Sequence, residues 1–127
     1  MAAPNIVNVT NITGKTSSLA VTTSPTALVT NTQASSQIYK INYIIATNIT
    51  SLPADITVDL YRLGTTVFPL AYTITVPEKS TLVIIGKDTA VYLEEYDTIR
   101  VSASTNSALV ATTSYEIGIP VKIVADF

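Results

Sequence analysis

The sequence predicts an all-β protein, a single antiparallel β-sandwich, with Ig-like and jelly-roll connectivity both open. Three observations carry the prediction. Apolar and polar residues alternate with period two through most of the chain, and the i, i+3, i+4, i+7 spacing of an amphipathic helix is sustained nowhere. The alternating segments recur at roughly 8 to 12 residue intervals, separated by Gly, Pro, Asn and Ser. The length of 127 residues, 47% of them hydrophobic, suits one core, since folding at this size buries about two-thirds of the unfolded chain's surface.

The strands follow in order. Residues 5–12 (NIVNVTNI), 18–23 (SLAVTT) and 26–31 (TALVTN) form an N-terminal set punctuated by Gly14 and by Ser24-Pro25. Residues 37–48 (QIYKINYIIATN) are apolar on both parities, the pattern of a central strand covered on both faces. The clearest alternation is 54–63 (ADITVDLYRL), with Ile56, Val58 and Leu60 inward and Asp55, Thr57, Asp59 and Tyr61 outward. Residues 70–76 (LAYTITV) repeat it, placing Leu70, Tyr72, Ile74 and Val76 inward and Ala71, Thr73 and Thr75 outward. Segments 81–86, 89–93, 98–104, 108–117 and 120–125 complete the set. One domain spans 1–127, with an N-terminal arm over 1–5 and a C-terminal extension over 118–127, and no fixed-period repeat or charged linker marks a second domain.

Composition narrows the chemistry. Charged residues are 13% of the chain, against about 25% in an average protein, and Ser, Thr and Asn supply the polarity instead. Without Cys there is no disulfide, no thiolate nucleophile and no Cys-type metal centre. Without His the side chain that transfers protons near neutral pH is missing, as is the commonest metal ligand. No cofactor is expected. The seven Lys and Arg are scattered singly, whereas a nucleic-acid partner would call for a basic face. The longest apolar run, Leu82 to Ile85, is far short of the roughly 20 residues a membrane helix needs. The N-terminus lacks the basic and apolar regions of a signal peptide. A mean hydropathy of +0.41 is nevertheless high for a surface wholly in water.

The candidate sites are few. Glu94, Glu95 and Asp97 stand together between two apolar segments, in VYLEEYDTIRVSAS. Carboxylates this close suit Ca²⁺, but their spacing matches no calcium loop, and the simpler reading is a polar turn joining strand 89–93 to strand 98–104. Asp55 and Asp59, on one strand face roughly 13 Å apart, are too far apart for a retaining glycosidase pair and wide for an inverting one. Lys87-Asp88 is a turn. Seven tyrosines suggest a sugar-stacking platform around Tyr92, Tyr96 and Tyr115, set against the ordinary use of Tyr at half-buried sheet surfaces. The sequons at Asn8, Asn11 and Asn48 carry no weight in so Ser/Thr-rich a chain. No G-x-S-x-G elbow or glycine-rich phosphate loop occurs, and no catalytic set emerges.

The segments NIVNVTNITGKT, ADITVDLYRL and ITVPEKSTLVIIGKDTAVYLEEYDTIRVSAS resemble small virion structural proteins of tailed phages that infect cyanobacteria and other marine bacteria. The resemblance covers residues 5 to about 117. It implies a β-sandwich of the capsid decoration or cement kind, sitting as an oligomer at symmetry axes between hexamers of the major capsid protein. The resulting expectation is a non-enzymatic protein, made in the host cytoplasm and placed on the capsid surface of the virion. Its partners would be the major capsid protein or other virion proteins, and its self-association a homo-oligomer, with a trimer favoured. Glu94, Glu95, Asp97, Asp126 and Phe127 are the candidate subunit contacts. A tail, neck, baseplate or fibre component, and a carbohydrate-binding sandwich, are the alternatives.

Overall fold

Antiparallel pairing organises nearly all of the described chain, residues 9–89 and 91–120 of a computed structural model. The strands are β1 (Val9–Ala20), β2 (Thr26–Asn31), β3 (Ile38–Asn48), β4 (Ala54–Arg62), β5 (Thr66–Val76), β6 (Thr81–Ile85), β7 (Val91–Leu93), β8 (Asp97–Ala103) and β9 (Leu109–Pro120), with a 3-10 turn at Lys87–Thr89. One sheet has the order β1-β9-β3-β6, with β7 also pairing with β3, and the other has the order β2-β8-β4-β5. Apart from the β4–β5 hairpin and the β6–β7 step, every connection crosses between the sheets. This double-sheet arrangement is the jelly roll, so the connectivity left open by the sequence is settled.

Two predicted strand breaks disappear. Segments 5–12 and 18–23 join, from Val9 on, into β1, which runs straight through Gly14. Segment 108–117 continues likewise as β9, through Gly118 as far as Pro120, the first residue of segment 120–125 and the last one described. The reason is their mutual ladder: β1 and β9 pair from Val9↔Pro120 to Ala20↔Val110, and continuous cross-strand hydrogen bonding outweighs local glycine punctuation. The N-terminal arm over 1–5, and residues 121–127 with Asp126 and Phe127, lie outside the described residues.

Bulges correct two parity assignments. In β3 the buried residues are Ile41 and then Ile44, Ala46 and Asn48, so the inward parity switches from odd to even. The switch falls at a register shift between Ile41 and Tyr43, where an extra residue turns the pleat over. The buried Thr113 hydroxyl donates to the Tyr43 carbonyl there, at 2.9 Å. Apolar residues on both parities therefore reflect a bulge in a strand with one core face. In β5, register shifts opposite Ile56–Asp59 accompany Thr73 at φ 52°. Ala71 packs on the core, while Leu70 and Tyr72, assigned inward from the sequence, are exposed; Ile74 keeps its inward row opposite Ile56 but is exposed at the sheet edge.

The core lies between the sheets. Ile44, Ile56, Val58, Ile99, Leu109 and Ala111 are fully buried. Asp59, assigned to the wet outer face of β4, is buried too. It lies in register with Arg100 of β8, whose guanidinium approaches the carboxylate at 3.8 Å and stacks 3.9 Å from the centre of the Tyr61 ring. Asp55 instead accepts a hydrogen bond from the Thr75 hydroxyl at 2.8 Å.

Candidate functional site

The acidic stretch forms the turn between β7 and β8, at one end of the sandwich. Strand β8 alternates strictly, with Asp97, Ile99, Val101 and Ala103 buried. Asp97 thus occupies a core-facing position, and its side chain is 1% exposed. A carboxylate there needs a partner, because an unpaired buried charge costs several kcal/mol (about 3–5 when a pair is broken). Arg62, directly opposite in register, supplies it. Arg62 Nε donates to Asp97 Oδ1 at 3.1 Å and Nη2 donates to Oδ2 at 2.9 Å. The Glu94 backbone N–H donates to the same Oδ2 at 3.0 Å. These bonds, and then the charge of Asp97, raise the Arg62 guanidinium above its ordinary value.

The turn is tied to its neighbours through the backbone. The Tyr96 N–H donates to the Asn31 carbonyl at 2.8 Å, and the Leu63 N–H donates to the Tyr96 carbonyl at 3.0 Å. The Ser36 N–H donates to Glu95 Oε2 at 2.5 Å. Tyr96 sits in the left-handed region, φ 71°, and its ring covers Gly64, where an added Cβ would lie 2.7 Å from the Tyr96 hydroxyl. Gly64 also has φ +66°, so close approach and backbone geometry both require glycine in the β4–β5 turn.

Asn31, fully buried, closes the underside of the site. Its Nδ2 donates to the carbonyls of Gln37 and of Leu93 in β7, each at 3.0 Å. Because Asn31 belongs to one sheet and Leu93 to the other, this amide is a cross-sheet tie. A second tie stands at the opposite end. Asn48 in β3, 1% exposed, donates from Nδ2 to the carbonyl of Val76 in β5 at 3.1 Å and to that of Leu52 at 2.8 Å. The buried Asn48 amide is not available as a glycan acceptor.

Outside this network the turn presents a mixed surface. Glu94, Glu95, Ser36, Gln37 and Ile38 line an open depression of about 430 Å³. The Glu94 side chain is 74% exposed, with Oε2 3.6 Å from Arg62 Nη2. Ile38, Leu63, Tyr92 and Tyr96 are exposed around it. Of the residues the sequence brought forward, Glu94 and Glu95 therefore face outward, while Asp97 faces the interior. A cation bound by Asp97 would have to displace the Arg62 guanidinium, and no group of three or more potential metal ligands occurs among the described residues.

The three tyrosines of the sugar-stacking reading do not form one platform. Tyr92 shares a cross-strand row with Lys40 and Glu116, and Tyr115 shares one with Ile41. Adjacent rows point to opposite faces of a sheet. Tyr115 stacks on Tyr39, ring centres 5.5 Å apart and 15° from parallel. Burial, with a smaller contribution from Tyr39, pushes its hydroxyl above the ordinary tyrosine value.

Sequence reasoning missed Arg62, Asn31 and Asn48. A parity signal was present for the two asparagines: Asn31 continues the inward parity of Val29, and Asn48 that of Ile44 and Ala46.

The fold and this site define an all-β jelly-roll sandwich whose buried polar side chains at the turn are bonded to one another and to the neighbouring backbone. No family model matches the chain, and no curated protein matches it. Among solved structures, it is similar to one of the Bacillus endospore appendages, a family of disulfide-linked pili, with a TM-score of 0.54 and 15% identity over 93% of this chain and 95% of that one. At that identity the likeness concerns the fold. No helix among the described residues is long and apolar enough to cross a membrane.

Proposed function

We propose that this chain is a non-enzymatic structural subunit of a phage particle, a capsid cement or decoration protein that docks on the major capsid protein through the turn end of its sandwich. The observation that carries the reading is the division of labour at that end. Arg62, Asp97 and Asn31 are consumed in holding the turn, while Glu94, Glu95, Tyr96, Leu63 and Ile38 are presented to the outside. A rigid mount that displays apolar groups with an acidic rim suits recognition by a complementary protein surface. Jelly rolls recur in viral capsid domains, although a fold alone assigns no function.

The likeness to a pilus structure favours a second reading within the same class, a subunit of a surface appendage or of a phage tail or fibre. Disulfide linkage would not carry over, because this chain has no cysteine.

The test is association of purified protein with particles stripped of it. Glu94→Gln with Glu95→Gln is expected to weaken association several-fold at low ionic strength, and the difference should shrink as salt screens exposed charge. Identical binding by variant and parent at every salt concentration would remove the turn end from the contact.

A further inference from the structure

The edges of the sandwich are unlike one another. On one side stand β1 and β2, the terminal strands of their sheets. Among their described side chains, Thr13–Ala20 and Thr26–Asn31, no large apolar residue is exposed. On the other side, edge strand β5 leaves Val67, Phe68, Leu70, Tyr72 and Ile74 exposed, by 44%, 49%, 37%, 72% and 41%. β5 contains no charged residue at all.

An exposed apolar edge strand invites pairing with another strand, and proteins commonly blunt such edges. β5 is blunted in its backbone but not in its side chains. Pro69 lacks an N–H, two register shifts interrupt the strand, and the Thr73 N–H turns back to donate to Thr57 Oγ1 at 3.0 Å. A partner strand would find no continuous ladder, so any contact here must be made by side chains.

The area suits a specific interface. These side chains flank the strand on both faces, Phe68 and Ile74 in the core-facing rows of Leu60 and Ile56 and Val67 in the opposite row of Tyr61, and at these exposures they offer on the order of 500 Å² of surface to a partner that meets the edge of the sandwich. A standard interface takes about 800 Å² from each partner, of which somewhat more than half is apolar. β5 alone thus approaches the apolar share of one partner. Among the described side chains the β1–β2 side shows no exposed large apolar counterpart to this edge, which argues against head-to-tail growth. The β5 edge does complement itself: being uncharged, it meets an identical edge without like-charge repulsion in a chain of net charge −2.

We infer that the β5 edge is the self-association surface of this protein, with the β5 side chains of a second copy packed against it around a two-fold axis. The contact uses residues separate from those at the turn end, so self-association and docking fail or survive independently.

The mass of the full chain in solution tests this, measured by light scattering after gel filtration at tens of micromolar. The parent is expected to form a discrete dimer. Phe68→Asp and, separately, Tyr72→Lys should shift it to the 13.5 kDa single chain with at least about tenfold weaker self-association. The control Thr16→Asp, on the β1 edge, should leave the mass unchanged. Unaltered circular dichroism melting would establish that the β5 variants are folded, and each variant checks the other. A monomeric parent, growth without limit, or folded β5 variants that keep the parent mass would overturn the inference.

Discussion

Arg62 and Asp97 face each other across the β4–β8 ladder and form two parallel hydrogen bonds, Nε to Oδ1 at 3.1 Å and Nη2 to Oδ2 at 2.9 Å. The carboxylate is enclosed and the guanidinium partly open, with side-chain exposures of 1% and 37%. Both strands are thereby held at the point where the chain turns from β7 into β8, and the exposed glutamates of that turn inherit a fixed position.

Asp97→Ala removes both acceptors of Arg62 and the acceptor of the Glu94 N–H. Losing a buried, charge-assisted pair of this kind costs about 2–4 kcal/mol. In a domain of this size that lowers Tm by roughly 6–15 °C. Asp97→Asn, which retains one acceptor oxygen, should lose about half as much. Thermal melting followed by circular dichroism measures both, and a fall below about 1 °C for the alanine variant would contradict this role.

Asn31 and Asn48 tie the two sheets together at opposite ends of the sandwich. Each alanine substitution leaves buried carbonyls without a donor, at a cost of about 2 kcal/mol. Because the two share no partner, the double variant should lose the sum of the single losses to within about 0.5 kcal/mol. Urea denaturation of the four proteins forms the cycle, and a double loss well below the sum would show that one tie matters only while the other stands.

Tyr115 makes stability depend on pH on the alkaline side. Burial raises its folded value above the unfolded one, near 10. Between those two values the folded state retains a proton that the unfolded state has released. Its contribution is therefore complete below about pH 10 and declines as pH rises through the folded value. The stability of the parent relative to Tyr115→Phe should accordingly fall from about pH 8 to about pH 11. Denaturant midpoints at the two pH values read it, and a constant difference would contradict the assignment. Arg62, also raised, titrates above that window.

Much of the fold was legible because a half-buried strand must alternate. The sequence boundaries of β2, and those of β3, β4 and β8 to within a residue, follow from apolar segments set between turn residues. The errors arose where alternation is interrupted. The β3 bulge makes one inward face read as two, and the β5 bulges put Leu70 and Tyr72 out of step with the core rows, while Ile74 keeps the row of Ile56 but is exposed at the sheet edge. No local residue choice announces either bulge, because each depends on the register of a neighbouring strand. The site was half legible. Glu94, Glu95 and Asp97 stand out by charge, and the parity of Asp97 with Ile99 and Val101 places it inside. Arg62 lies 35 positions away, and only the pairing of β4 with β8 brings it opposite.

The central claim, that this chain is a subunit bound at many equivalent positions on a particle, is tested most directly by its copy number in purified phage particles, measured against the major capsid protein by quantitative mass spectrometry. A role in cementing or decorating the capsid predicts a copy number in fixed proportion to the major capsid protein, set by the symmetry of the head. A handful of copies per particle, or none, would contradict it.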